Sequence, residues 1–176
     1  SKALQNCVYA AANYVLSTPV SALTSLSCSS QGVYSLDGIQ AFNNLTYLNV
    51  SNNPLLTITP LSSLPNLQSL YLGATNVNDL SALSLLSNLS FLHIYQTNVS
   101  DLLPLSNLQQ LTYLYAQNTP INYIPDLSAT SLSYLNLSNA PVNDISGLRY
   151  VSSLSKAYLY GAQLGDLKPL LDNANI

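Results

Sequence analysis

The sequence has no glutamate, no methionine and no tryptophan, and only four lysines and arginines. Charged residues make up 6% of it, about a quarter of the share usual for a soluble protein. A phosphate backbone or an anionic membrane surface is bound by a basic stripe. Four cations in 176 residues cannot supply one, so nucleic acid is excluded as a partner. No apolar run approaches the roughly 18 residues of a membrane-spanning helix. No leader-like segment is visible, and the start at Ser1 reads as a mature or trimmed product. The 48% of hydrophobic residues argues against disorder and for one domain with a substantial core. With charge so scarce, solubility rests on Ser, Thr, Asn, Gln and Tyr, a surface that suits a secreted protein.

A repeat fills the chain. Aligned on its opening leucine, each unit begins at Leu23, Leu45, Leu67, Leu89, Leu111, Leu132 and Leu154, in steps of 22, 22, 22, 22, 21 and 22. Apolar residues recur at the first, fourth, sixth, eleventh, fourteenth and seventeenth places, as in Leu67, Leu70, Leu72, Val77, Leu80 and Leu83. A regular period of this length marks a solenoid. Within each unit the fourth and sixth places share one side of a short strand, and the third, fifth and seventh share the other. Units stacked about 4.8 Å apart build a parallel sheet along one side. A 3₁₀ turn or extended stretch is predicted to return on the far side. Asp79, Asp101, Asp144 and Asp166 recur just before it, where a carboxylate can accept the free N–H groups that open a helical turn.

The strings LTYLNVSNNPL, LQSLYLGATNV and LSFLHIYQTNV match LxxLxLxxNxL. With the 22-residue length and the Pro-Leu pairs at Pro60-Leu61 and Pro104-Leu105, the chain resembles the bacterial internalin-like class of leucine-rich-repeat proteins. The resemblance covers residues 23–172. It implies an α/β horseshoe with short parallel strands on the concave face, and recognition of host or neighbouring-cell surface proteins. The ninth place of that pattern carries Asn, whose amide bonds the backbone of neighbouring coils. Here the column reads Gln31, Asn53, Thr75, Thr97, Thr119, Ala140 and Ala162, so this ladder is expected to weaken towards the C-terminus.

Residues 1–22 are expected to cap the N-terminal end. Residues 2–16 read as an amphipathic helix, with Leu4, Cys7, Val8, Ala11, Ala12 and Val15 on one face, ended by Thr18-Pro19. Cys28 stands at an inward place of the first unit, and Cys7 on the helix face that should meet it. A Cys7–Cys28 disulfide is expected, against the alternative of two buried thiols. It would place the protein outside the cytosol, extracellular or on the cell surface, with periplasmic or outer-membrane-anchored positions also open. No comparable cap is visible in the tail 173–176, which leaves self-association through an open C-terminal edge among the expectations.

Chemistry is hard to place on this chain. Glycoside hydrolysis needs two facing carboxylates, and four of the seven Asp fall in the far-side column. A nucleophile–base pair needs a histidine, and the only one, His93, lies between Tyr71 and Tyr115 of neighbouring strands with no Asp on its face. One His and two Cys make no metal cluster. No phosphate loop or dinucleotide fingerprint occurs. The chain is therefore read as non-catalytic and without a cofactor.

The outward strand places carry the candidate binding surface: Tyr47, Tyr71, Phe91, His93, Tyr95, Tyr113, Tyr115, Tyr134, Lys156, Tyr158 and Tyr160. Eight of thirteen Tyr lie here, with Lys156 the only formal charge. One explanation is structural, because Tyr suits strands and stacks across them. The other is recognition, because Tyr offers large contact area at low entropy cost with a hydroxyl to bond a partner. Six strand spacings make a face about 29 Å long, suited to a protein surface or an extended glycan rather than a small metabolite. The expectation is a protein-binding module. The alternatives are a glycan-binding adhesin module and a spacer in a longer surface protein.

Overall fold

The computed structural model describes residues 1–11 and 22–173. Helix α1 (Lys2–Ala11) is followed by seven coils, each contributing one strand: β1 (Ser25–Ser27), β2 (Tyr47–Asn49), β3 (Ser69–Tyr71), β4 (Phe91–His93), β5 (Tyr113–Tyr115), β6 (Tyr134–Asn136) and β7 (Lys156–Tyr158). They form one parallel sheet in sequence order. Leu48 pairs with Leu70, Leu70 with Leu92 and Leu92 with Leu114, so like places stack on like. The step of 21 residues does not disturb this, and Leu114 pairs with Leu135.

Packing explains the columns. Leu26, Leu48, Leu70, Leu92, Leu114 and Leu135 at the fourth place are all fully buried. A seventh apolar column, at the twentieth place, joins the six seen in the sequence: Phe42, Leu64, Leu86, Leu108 and Val151 are buried there. It was obscured because the fifth and seventh coils place Thr130 and Asn173 in it. Both are buried, and both bond backbone instead: Thr130 Oγ1 donates to the Leu127 carbonyl at 2.7 Å, and Asn173 Nδ2 to that of Val151 at 2.6 Å. Deleting a core leucine such as Leu92 to Ala should cost about 2–5 kcal/mol.

Behind the sheet, most coils return through a 3₁₀ turn, as in Ser81–Leu83, Leu103–Leu105 and Ser146–Leu148. The aspartate column opens these turns. Asp79 Oδ1 accepts the Ser81 N–H, Asp101 Oδ1 that of Leu103 and Asp144 Oδ1 that of Ser146, each at 2.8 Å. Ser35 and Thr57 serve the same column in the first two coils. The fifth coil has Tyr123 at that place, and its hydroxyl donates to Asp101 Oδ1 of the preceding coil at 2.9 Å. No 3₁₀ helix forms there; Tyr123 makes a lone bridge with Asp144 instead.

The ninth column behaves partly as expected. Asn53 Oδ1 accepts the N–H groups of Gln31 and Val33 in the coil before, and its Nδ2 donates to the Cys28 carbonyl at 2.8 Å. The threonines bond within their own coil, Thr75 to Leu72 and Thr97 to Ile94. The alanines do not leave the ladder broken. The Ala140 N–H reaches the Leu137 carbonyl, and coil-to-coil bonds continue through Asn143 to Asn122 and Gln163 to Val142.

At the N-terminal end α1 buries Leu4, Cys7 and Val8 against the first coil. Cys7 and Cys28 are joined in a disulfide, with Cα atoms 5.5 Å apart. Closing this loop stabilises the fold by about 3 kcal/mol. Ala12, Val15 and Thr18-Pro19, the expected remainder of the helix, lie outside the described residues. At the other end a short helix α2 (Lys168–Leu171) packs beside Ser146–Leu148, with Pro169 buried. The outer edge of β7 pairs with no strand among the described residues, and Leu159 and Leu164 are only partly buried.

The eighth place of every coil is left-handed: Ser30, Asn52, Ala74, Gln96, Asn118, Asn139 and Gly161 all have positive φ, from 51° to 83°. The chain turns out of its strand there. Asn and Gly adopt this conformation readily, whereas a Cβ-bearing residue such as Ala pays a steric penalty. Ala74→Gly should therefore stabilise the protein by about 0.5–1 kcal/mol in urea unfolding, and Gly161→Ala should destabilise it by at least as much.

Candidate functional site

The concave face has an order that the list of exposed places does not reveal. Tyr47, Tyr71, Phe91, Tyr115, Tyr134 and Tyr158 come from six successive strands, alternating between the third and fifth places. Their ring centroids follow one another at 5.4, 4.8, 5.4, 4.7 and 5.4 Å, with planes tilted by 31–48°. The separations are close to the strand spacing of about 4.8 Å. Rings laid flat side by side would sit farther apart. The six rings therefore follow one another along the solenoid axis in a zigzag, each tilted against the next. Such offset pairs contribute about 0.5–1.5 kcal/mol each beyond their buried area.

His93, Tyr95 and Tyr113 flank this stack. His93 lies 5.7 Å from Tyr71 and 5.3 Å from Tyr115, near-perpendicular to both, and stacks on Tyr95 at 4.8 Å. Tyr113 reaches Phe91 and Tyr134 at 6.1 and 6.2 Å. Tyr95 can lean over the preceding coil because Gly73 stands at the same place there. A Cβ on Gly73 would fall inside the Tyr95 ring. This glycine is a determinant of the face that reading one coil at a time misses. The signal lay in the seventh column, where a single glycine precedes a tyrosine. Lys156 and Tyr160 are exposed, and neither joins the ring cluster among the described residues.

Electrostatics here follow from burial. Half-buried His93 is pushed below 6.5 by desolvation. Tyr71 is raised by desolvation and by neighbouring Tyr47. Tyr134 is raised by desolvation, then by Tyr115 and Tyr158. Desolvation thus favours the neutral forms of His93, Tyr71 and Tyr134, and Lys156 is the only formally charged residue among the outward strand places. Among the described residues no group of three or more His, Cys, Asp or Glu could hold a metal ion, and no helix is long and apolar enough to cross a membrane.

The lowered value for His93 gives a direct test. Between its folded value and 6.5 the unfolded chain binds the extra proton, so stability falls as pH falls through that interval. NMR titration should place the His93 transition below 6.5, and Tyr95→Ala, which uncovers the imidazole, should move it back up. An unshifted transition in the variant would show that Tyr95 does not shield His93.

Residues 43–87 match the family model described as Leucine Rich repeats (2 copies). Among solved structures, an internalin (inlF) of Listeria monocytogenes superposes with a TM-score of 0.86 at 30% identity, covering 98% of this chain and 53% of that one. Internalin C2 of the same organism superposes with a TM-score of 0.75 at 27% identity, covering 98% and 89%. A leucine-rich-repeat protein of Leptospira interrogans shares the fold, at 23% identity and a TM-score of 0.73, covering 78% and 37%. This chain thus spans about half the length of the first of these structures. No curated protein matches the sequence. A seven-stranded parallel sheet, its 3₁₀ returns, its helical N-terminus and these likenesses together make the chain a leucine-rich-repeat protein whose solenoid is built like those of the Listeria internalins.

Proposed function

We propose that this protein is a non-catalytic recognition module, secreted or displayed on a cell surface, that binds a protein partner through its concave aromatic face. The observation that carries this reading is the six-ring stack. A sugar ring binds an aromatic side chain by lying on its face, and the close spacing of Tyr71, Phe91, Tyr115 and Tyr134, 4.7–5.4 Å between successive ring centres, leaves little room for that between them. What faces a partner is a continuous row of closely spaced rings. That surface suits a polypeptide, which fills the gaps at Ser69 and Asn136 with side chains and accepts or donates to hydroxyls. The Cys7–Cys28 disulfide supports an oxidising compartment.

The test compares capture of surface proteins by the wild type and by Tyr95→Ala/Tyr115→Ala. Central aromatic anchors usually contribute about 2 kcal/mol or more each, so the double variant should retain its fold and lose at least about tenfold in affinity for whatever the wild type captures. Equal capture by both, with the variant still cooperatively folded, would overturn the concave-face reading. The outer edge of β7 is proposed as a separate route to self-association, because among the described residues it has no strand partner and lies beside the partly buried Leu159 and Leu164. Sedimentation should show a concentration-dependent dimer that Ala157→Pro abolishes; a monomer at every concentration rejects it.

A further inference from the structure

A second site lies on the flank, where the third and fourth coils turn into β4 and β5. Gln68, Asn88, Ser90, Asn107, Gln109 and Gln110 line a trough of about 660 Å³, within the roughly 300–1,000 Å³ typical of ligand sites. Its composition departs from the repeat. Gln68 occupies the second place, which Thr or Ser fills in the other coils, for example Thr46. The Gln109-Gln110 pair closes the fourth coil, where the first has the shorter amides Asn43-Asn44, the third Ser87-Asn88 and the sixth Ser152-Ser153. The long amides are thus gathered at one point on the solenoid.

Hydrogen bonding separates what is committed from what is available. The backbone is used: Gln68 N–H bonds the Thr46 carbonyl, Ser90 N–H that of Gln68 and Thr112 N–H that of Ser90. Asn88 Nδ2 donates to the Pro65 carbonyl at 2.9 Å, and Ser90 Oγ to that of Gln68 at 3.2 Å. The carboxamides of Gln68, Asn107, Gln109 and Gln110 have no side-chain partner among the described residues. Each presents a donor and an acceptor side by side.

We infer that this trough is a binding site for a neutral oligosaccharide. A pair of neighbouring sugar hydroxyls both donates and accepts, and matches a carboxamide in both roles. No charged residue lines the trough, so an anionic or cationic ligand would find no counter-charge. No large apolar side chain lines it either, so a peptide would find no pocket for an anchor. With the backbone groups committed, a peptide could not bind by adding a strand. The trough is a partly open cleft, so a sugar held in it can stay joined to the rest of its chain. It is separate from the aromatic face and needs none of its rings.

The experiment uses NMR of the side-chain amides in the whole chain. The probes are hexasaccharides of α1,4-linked glucose, β1,4-linked glucose and β1,4-linked N-acetylglucosamine, each raised to about 10 mM. At least one should shift the Gln68, Gln109 and Gln110 amide signals saturably. Gln109→Ser/Gln110→Ser, which copies the sixth coil and so preserves the turn, should weaken that binding at least tenfold. Tyr95→Ala/Tyr115→Ala should leave it unchanged, which separates this site from the proposed protein face. The inference is overturned if none of the three sugars gives a saturable shift. Shifts confined to the tyrosine face, or undiminished binding in the serine variant, overturn it equally.

Discussion

Everything in this molecule depends on the parallel register of one short strand per coil. Adjacent strands must sit at hydrogen-bonding distance, so each coil lies about 4.8 Å from the next, and like places stand on like. A place in the repeat thereby becomes a column in space. Columns of leucine make a core without a conventional two-layer arrangement, and each coil is stabilised mainly by its two neighbours. The left-handed eighth column turns the chain out of every strand, and the Ser, Thr and Asp of the thirteenth column start most of the return turns. Where one of these devices is missing the register survives. The fifth coil has Tyr123 at the thirteenth place, opens its turn from Asp126 instead and is one residue shorter, yet Leu114 still meets Leu135.

The same register turns a scatter of tyrosines into a line. Placing aromatics alternately at the third and fifth places brings successive rings to within about one strand spacing along the axis. Neither place alone gives an unbroken series, because Ser69 and Asn136 interrupt them. The zigzag passes between these gaps. The contacts between its rings stabilise the sheet, and the same row is the surface proposed to meet a partner.

What the sequence revealed followed from periodicity. Six of seven apolar columns, the strand places, the aspartate turns and the cysteine pair could be read because each depends on spacing along the chain or on a single inward place. Less accessible were features that depend on a residue and its neighbour one coil away. Gly73 is informative only beneath Tyr95, and the hydroxyl of Tyr123 only beside Asp101. The twentieth column hid because Thr130 and Asn173 satisfy it through hydrogen bonds rather than apolar contact. The flank trough carries no apolar period at all; it emerges from glutamines at places that elsewhere hold shorter side chains, such as Thr46 and Asn88.

The near-absence of charge on the concave face has a kinetic consequence. Fast association between proteins relies on complementary fields that guide the encounter, and such guidance fades with added salt. A face of neutral rings with one lysine at its end exerts little pull at a distance. Its partner would be met at the unsteered rate of about 10⁵–10⁶ M⁻¹s⁻¹, nearly indifferent to ionic strength. Discrimination between partners would then be a matter of how long each one stays once the rings have been covered and the water over them expelled.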